Sequence, residues 1–325
     1  MEYTTLGSTG MEVSRICLGC MSFGSSAWRD WVLDEDDSRE IIERAIDLGI
    51  NFFDTANMYS LGESERVLGD VLADYDRDSQ VVATKGYFQM DEDDPNSGGL
   101  SRKALEQAVS NSLSRLGMDT VDLYQIHRWD YDTPIEETLR ALDDVVRRGQ
   151  SRYVGASSMW GYQFAESLRT SDLDGLERFR TMQNHYNLLY REEEREMLPL
   201  CEREGVGVLP WSPLARGYLA RPHDAVEATT RGETDDYARA HPYFAGGGRE
   251  VNERVQELAG EYDATMAQIA LAWLLDKESV DAPIVGTTSV DHLEQAVAAL
   301  EIDLADSDVE YLEAPYEPVV VSGHE

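Results

Sequence analysis

The sequence predicts an α/β fold, a (β/α)8 TIM barrel with an N-terminal β-hairpin, and three observations predict it. Eight short apolar runs each lead into an amphipathic stretch with helical periodicity. The alternation covers 325 residues without a domain-sized break, which favours an all-parallel, closed sheet. No run is followed by G-x-G-x-x-G: Gly205-Val206-Gly207 continues into Val208-Leu209-Pro210 and lacks the third glycine. Residues 1–325 are therefore expected to form a single barrel domain.

The hairpin is read from Tyr3-Thr4-Thr5, a turn at Gly7-Ser8-Thr9-Gly10 and a second strand from Met11. Barrel strands are expected at Ile16–Leu18, Asn51–Phe53, Gln80–Thr84, Val121–Ile126, Arg152–Ala156, Thr181–Gln183, Val206–Leu209 and Ala282–Val285. Helices are expected at Ser38–Leu48, Ser64–Tyr75, Arg102–Leu116, Pro134–Arg148, Gly161–Arg169, Glu192–Glu204, Glu250–Tyr262, Met266–Asp276 and Val290–Leu300. Two long loops, Ser25–Glu35 and Arg221–Arg249, are candidate lids, because loops after barrel strands build the site.

A formal charge of −35, from 63 acidic and 28 basic residues, argues against nucleic acid and anionic membranes as partners. The acid is spread along helix faces, so the expected surface is a solvated one that needs salt to screen its self-repulsion. A halophilic cytoplasm fits that expectation. No apolar run is long enough to span a membrane, and Met1–Thr5 lacks a secretory pattern, so a cytoplasmic location is expected. Cys17, Cys20 and Cys201 are read as free thiols, and no Cys/His spacing suits zinc, so no metal is expected.

The chemistry sits just past the strand ends. Asp54 closes Asn51-Phe52-Phe53, and Tyr59 follows five residues later. Lys85, one of three lysines, closes Val81–Thr84, and His127 closes Leu123–Ile126. Charges at the ends of apolar strands are costly unless paired. Consecutive strands would bring all four to one rim, where an ammonium favours the phenolate of Tyr59 and Asp54 holds Lys85. The His127 imidazole would orient a carbonyl oxygen. Trp28, Trp31, Phe88 and Trp129, with Tyr131 and Trp160, are candidate substrate-side aromatics.

These segments resemble the aldo-keto reductase family. Asp54-Thr55-Ala56-Asn57-Met58-Tyr59, Gly62-Glu63-Ser64-Glu65, Leu68-Gly69, Thr84-Lys85 and Gln125-Ile126-His127 match its signature, and the likeness covers nearly the whole chain. The C-terminal pattern, including Leu312–Tyr316, looks most like the microbial branch labelled aryl-alcohol dehydrogenases. The resemblance implies a nicotinamide-dependent reduction of aldehydes or ketones, with hydride passing to the carbonyl carbon and Tyr59 donating the proton. It also implies a cofactor cradle. Ser157, Ser158 and Gln183-Asn184 would hold the carboxamide, Trp211 would stack on the nicotinamide, and Ser212, Pro213, Leu214 and Arg216 would take the pyrophosphate. Gly286, Thr287, Thr288, Ser289, His292 and Gln295 would face the adenosine.

The family's default cofactor is NADP(H). The loop from Gly286 to His292 has no Arg or Lys and carries Asp291, so NAD(H) or dual use stays open. Three further alternatives stay open: a sugar or aryl-alcohol dehydrogenase working oxidatively, a cofactor-binding regulatory subunit of the potassium-channel β type, and assembly into a homo-oligomer. The expected partner is a small carbonyl or alcohol substrate.

Overall fold

The computed structural model describes residues 1–241 and 243–324, with the side chains of all but Glu227 and Tyr237. Strands β1 (Tyr3–Thr5) and β2 (Glu12–Ser14) form the antiparallel hairpin. Eight parallel strands follow: β3 (Cys17–Gly19), β4 (Phe52–Asp54), β5 (Val81–Gly86), β6 (Val121–Ile126), β7 (Ser151–Ser157), β8 (Phe179–Gln183), β9 (Gly207–Val208) and β10 (Ile284–Gly286). They are ordered β10-β3-β4-β5-β6-β7-β8-β9. The ring closes where Trp211 bridges Ile284 and the Ile284 amide donates to Pro210 O at 2.9 Å. The predicted barrel and hairpin are both present.

Around the strands lie α1 (Glu35–Asp47), α2 (Glu63–Leu72), α3 (Arg102–Leu116), α4 (Ile135–Arg147), α5 (Gly161–Asp174) and α6 (Met197–Glu204). Next come α7 (Thr230–Thr234), α8 (Asp236–Ala240), α9 (Gly248–Glu261), α10 (Met266–Leu275), α11 (Val290–Ala298) and α12 (Asp306–Glu313). Local chemistry sets many of their ends. Ser101 caps α3 by accepting from the Ala104 amide, Gly117 ends it in the left-handed region, and Thr265 with Gln268 makes a capping box for α10.

Several elements differ from the sequence expectation, among them α12, which had no expected counterpart, and α5, which runs on to Asp174. Helix α1 starts at Glu35 rather than Ser38, because Glu35, Asp36 and Asp37 complement the positive end of the helix dipole. The predicted helix over Glu192–Glu204 breaks at Glu196 into a 3-10 turn (Glu192–Arg195) and α6. The segment 221–249 is not one loop: it holds α7, α8 and the start of α9.

Alternation along the strands positions the site. Side chains two apart face the same way. Cys17, Phe52, Val81, Ala83, Leu123 and Leu209 fill the barrel interior together with Leu6 and Val13 of the hairpin, which plugs the N-terminal end. One step further along the same inward series come Asp54, Lys85 and Gln125, and one step beyond Gln125 comes His127. Gly155 belongs to this layer because a Cβ there would collide with Thr181 Oγ1 and crowd Gln125. The outer faces of the strands meet the helices in the larger core.

Candidate active site

At the C-terminal mouth the structure brings the four predicted residues together. Lys85 Nζ donates to Asp54 Oδ2 at 2.6 Å and to Thr55 O at 2.7 Å. The other oxygen, Asp54 Oδ1, accepts from Gln125 Nε2 at 3.0 Å and Gln183 Nε2 at 2.9 Å. The Asp54 carboxylate is thus buried but fully supplied with donors, as a buried charge requires. Lys85 Nζ stands 5.1 Å from the centre of the Tyr59 ring. Tyr59 and His127 meet edge to face at 5.9 Å, and Phe88 stands edge-on to His127 at 4.9 Å.

The electrostatics differ in one respect from the sequence expectation. Burial is the largest influence on Tyr59 and pushes its phenol above the ordinary range; Lys85 and Arg128 pull it back, and Asp54 adds to the rise. The phenol is therefore held protonated, the state of a proton donor. Burial also works against the Lys85 ammonium, but Asp54 and Tyr59 outweigh it and the lysine is raised. His127 is held well below the usual imidazole range by burial, then by Arg128 and Lys85, so it is neutral.

Arg128 went unrecognised in the sequence. Its guanidinium lies 5.9 Å from the ring centres of both Phe88 and Trp211, and Nη1 donates to His127 O at 2.6 Å. It places a permanent cation beside both titrating groups.

Backbone strain concentrates here. Among the described residues seven non-glycine residues have positive φ, and six of them lie in the loops of this mouth: Ser60, Leu61, Ser158, Ser212, Ala215 and Arg216. Such conformations each cost about 1–3 kcal/mol and persist where the surroundings demand them.

Of the residues expected to hold a carboxamide, the two serines meet each other and Trp211. Ser157 Oγ and Ser158 Oγ are 3.4 Å apart, and Trp211 Nε1 donates to Ser158 Oγ at 3.0 Å. Asn184 is wholly buried, yet neither its amide nitrogen nor its oxygen has a partner among the described residues. An orphaned buried amide suits a carboxamide, which offers one donor and one acceptor in return. The Gln183 amide nitrogen, by contrast, is spent on Asp54 and on Gln125 Oε1.

The adenosine-side loop is less well furnished. Thr287 Oγ1 donates to Ser289 O and accepts from the Ser289 amide, and Ser289 caps α11, so both hydroxyls serve the turn itself. Gly286, Thr288 and His292 are exposed, and Gln295 is half-buried. Positive charge gathers elsewhere at the mouth. Arg216 Nη1 and Arg231 Nε both approach Asp235 Oδ2, at 2.7 and 3.2 Å. Arg29 stacks over Trp28 at 4.3 Å; burial lowers its guanidinium most, and it feels the nearby charges of Asp235, Arg216 and Tyr59.

The candidate substrate-side aromatics therefore separate. Trp31 is flanked by Arg29 at 5.5 Å and Arg231 at 4.3 Å, so Trp28 and Trp31 belong to this cationic cluster. Trp129 packs against the core, and Phe88 stays beside His127. Of the pyrophosphate-loop candidates, Pro213 is buried, Leu214 packs against the core, and Ser212 O accepts from Asn187 Nδ2 at 2.9 Å. Among the described residues no His, Cys, Asp and Glu group could hold a metal ion, and no helix is long and apolar enough to cross a membrane.

Comparison with known proteins agrees with the geometry. The sequence model of the Aldo/keto reductase family matches residues 15–317. A Schizosaccharomyces pombe protein provisionally named an aryl-alcohol dehydrogenase is 46% identical, over 99% of this chain and 97% of its own. Versiconal hemiacetal acetate reductase of Aspergillus parasiticus is 42% identical, over 99% of this chain and 98% of its own. Aldo-keto reductase dtxS3 of Metarhizium robertsii is 42% identical, over 100% of this chain and 93% of its own. The motifs at the strand ends, the barrel that aligns them and these full-length likenesses agree, and the chain belongs to the aldo/keto reductase family of oxidoreductases.

Proposed function

We propose that this chain is an NAD(P)H-dependent carbonyl reductase in which Tyr59 protonates the carbonyl oxygen. The observation that carries the reading is the buried Asp54–Lys85 pair beside the protonated Tyr59, with a neutral His127 edge-on to the same phenol. A reduced nicotinamide, when bound, supplies the hydride.

The chain's own groups do the rest. A ring N–H of neutral His127 orients the carbonyl oxygen, Tyr59 releases its proton to that oxygen as negative charge develops, and the Lys85 ammonium stabilises the phenolate left behind. Asp54 fixes the ammonium, with Gln125 and Gln183 holding the carboxylate in turn. Ser157, Ser158 and Asn184 would bind the carboxamide, and Trp211 would stack on the ring. Arg29, Arg216 and Arg231 outnumber Asp235 and would take the pyrophosphate, which NAD(H) and NADP(H) share; NADP(H) stays the family's default, and the loop from Gly286 to His292, with no Arg or Lys, leaves NAD(H) or dual use open. Phe88, with Trp160 and Tyr131 nearer the rim, suits an aryl aldehyde.

The test is a panel of aldehydes, ketones and alcohols with NADPH and NADH in molar salt. Oxidation of NADPH by an aryl aldehyde is expected. A protein that binds the nucleotide but turns over no carbonyl or alcohol would favour a regulatory subunit instead.

A further inference from the structure

Trp211 is held from three sides by groups outside the catalytic set. His185 and Trp211 are bridged as parallel strand neighbours, so their side chains leave the backbone on the same face. Their rings stack at 4.1 Å with planes 11° apart. Tyr190 covers the other face of the imidazole in the same way, at 4.1 Å and 11°. The indole edge is pinned separately, by the Nε1 donation to Ser158 Oγ at 3.0 Å. The C-terminal segment completes the surround: a Cβ on Gly323 would lie 3.5 Å from Trp211 Cζ2, and the Ser322 amide donates to the Tyr190 hydroxyl at 3.2 Å.

The imidazole is an expensive choice for this place. His185 is 1% exposed, and its Nδ1 has no partner among the described residues, while Nε2 meets the Tyr243 hydroxyl at 3.1 Å. An aliphatic side chain would fill the volume without an unmet polar atom. What it would not supply is a thin, flat ring parallel to the indole. Burial above all keeps the imidazole uncharged, with His241, Arg216, Arg128 and His324 acting in the same direction. The indole thus rests on a neutral ring, which does not repel the positive charge of an oxidised nicotinamide.

We propose that His185 is a positioning residue for the cofactor ring: sandwiched between Tyr190 and Trp211, it sets the plane of the indole on which the nicotinamide stacks, in register with the Ser158 hydroxyl. This rests on the nicotinamide reading given above. The stack converts one face of Trp211 into a fixed support, so a planar ring that stacks on the indole meets a pre-formed platform.

The test compares His185→Leu, which keeps volume but loses the flat ring, with His185→Phe, which keeps the ring. NADPH binding is followed by its own fluorescence and by energy transfer from tryptophan, with thermal melting to confirm folding. The expectation is roughly tenfold weaker NADPH binding and reduced energy transfer at saturation for His185→Leu, with His185→Phe recovering most of both. Tyr190→Leu, which thins the stack from its far side, is expected to lose about threefold and serves if His185→Leu does not fold. Wild-type binding by the Leu variants, or equal loss in His185→Phe and His185→Leu, would overturn the proposal. Wild-type protein that binds neither NADPH nor NADH would instead remove the cofactor reading on which it stands.

Discussion

Lys85 Nζ donates to Asp54 Oδ2 across 2.6 Å, and both side chains are buried at the mouth of the barrel. Removing the lysine leaves a buried carboxylate held by two amides alone. Lys85→Met is expected to destabilise the fold by about 3–5 kcal/mol, the usual cost of breaking one side of a buried pair. Asp54→Asn added to it is expected to restore part of that loss. Chemical denaturation of the single and double variants measures both; a single variant as stable as wild type would show that the pair is not needed for the fold.

Arg128 acts on two titrating groups in the same direction, lowering both Tyr59 and His127. Arg128→Met removes that cation, so both values rise. The phenol then stays protonated to higher pH, and the limb on which reduction is lost with rising pH moves upward. The imidazole begins to take a proton at higher pH, and the acid limb moves up with it. Both limbs of a kcat/KM profile are expected to shift to higher pH; two unchanged limbs would exclude Arg128 from the electrostatics of the mouth.

Much of this was legible in the sequence, for physical reasons. A side-chain period of two carries Val81 and Ala83 on to Lys85 and Leu123 on to His127, so apolar runs ending in charge point to the mouth. The same alternation runs through Gln125 and could have identified the support of Asp54. What escaped depends on contacts between distant loops. Arg29, Arg231 and Asp235 read as ordinary loop residues, and only the tertiary fold stacks the two guanidinium groups on Trp31. Their one signal was the crowding of Arg216, Arg221 and Arg231 into a short stretch of a strongly acidic chain. Helix α12 escaped because Leu312 is its one buried residue, which leaves almost no apolar periodicity to read.

The surface charge makes a prediction of its own. A formal charge of −35 leaves most carboxylates without a basic partner. Screening shortens from about 10 Å at 0.1 M salt to about 3 Å at 1 M, so salt relieves the repulsion. The melting temperature is expected to climb steadily between 0.1 and 2 M KCl. A flat response would mean that the compact state does not feel its own charge.

The central claim is that the Tyr59 hydroxyl delivers the proton. Tyr59→Phe keeps the ring that packs against His127 and removes only that hydroxyl. Single-turnover oxidation of bound NADPH by an aryl aldehyde tests it most directly, with NADPH affinity measured on the same samples. The account predicts a rate lower by about 100-fold or more with affinity little changed. A Tyr59→Phe enzyme that turns over at near the wild-type rate would contradict it.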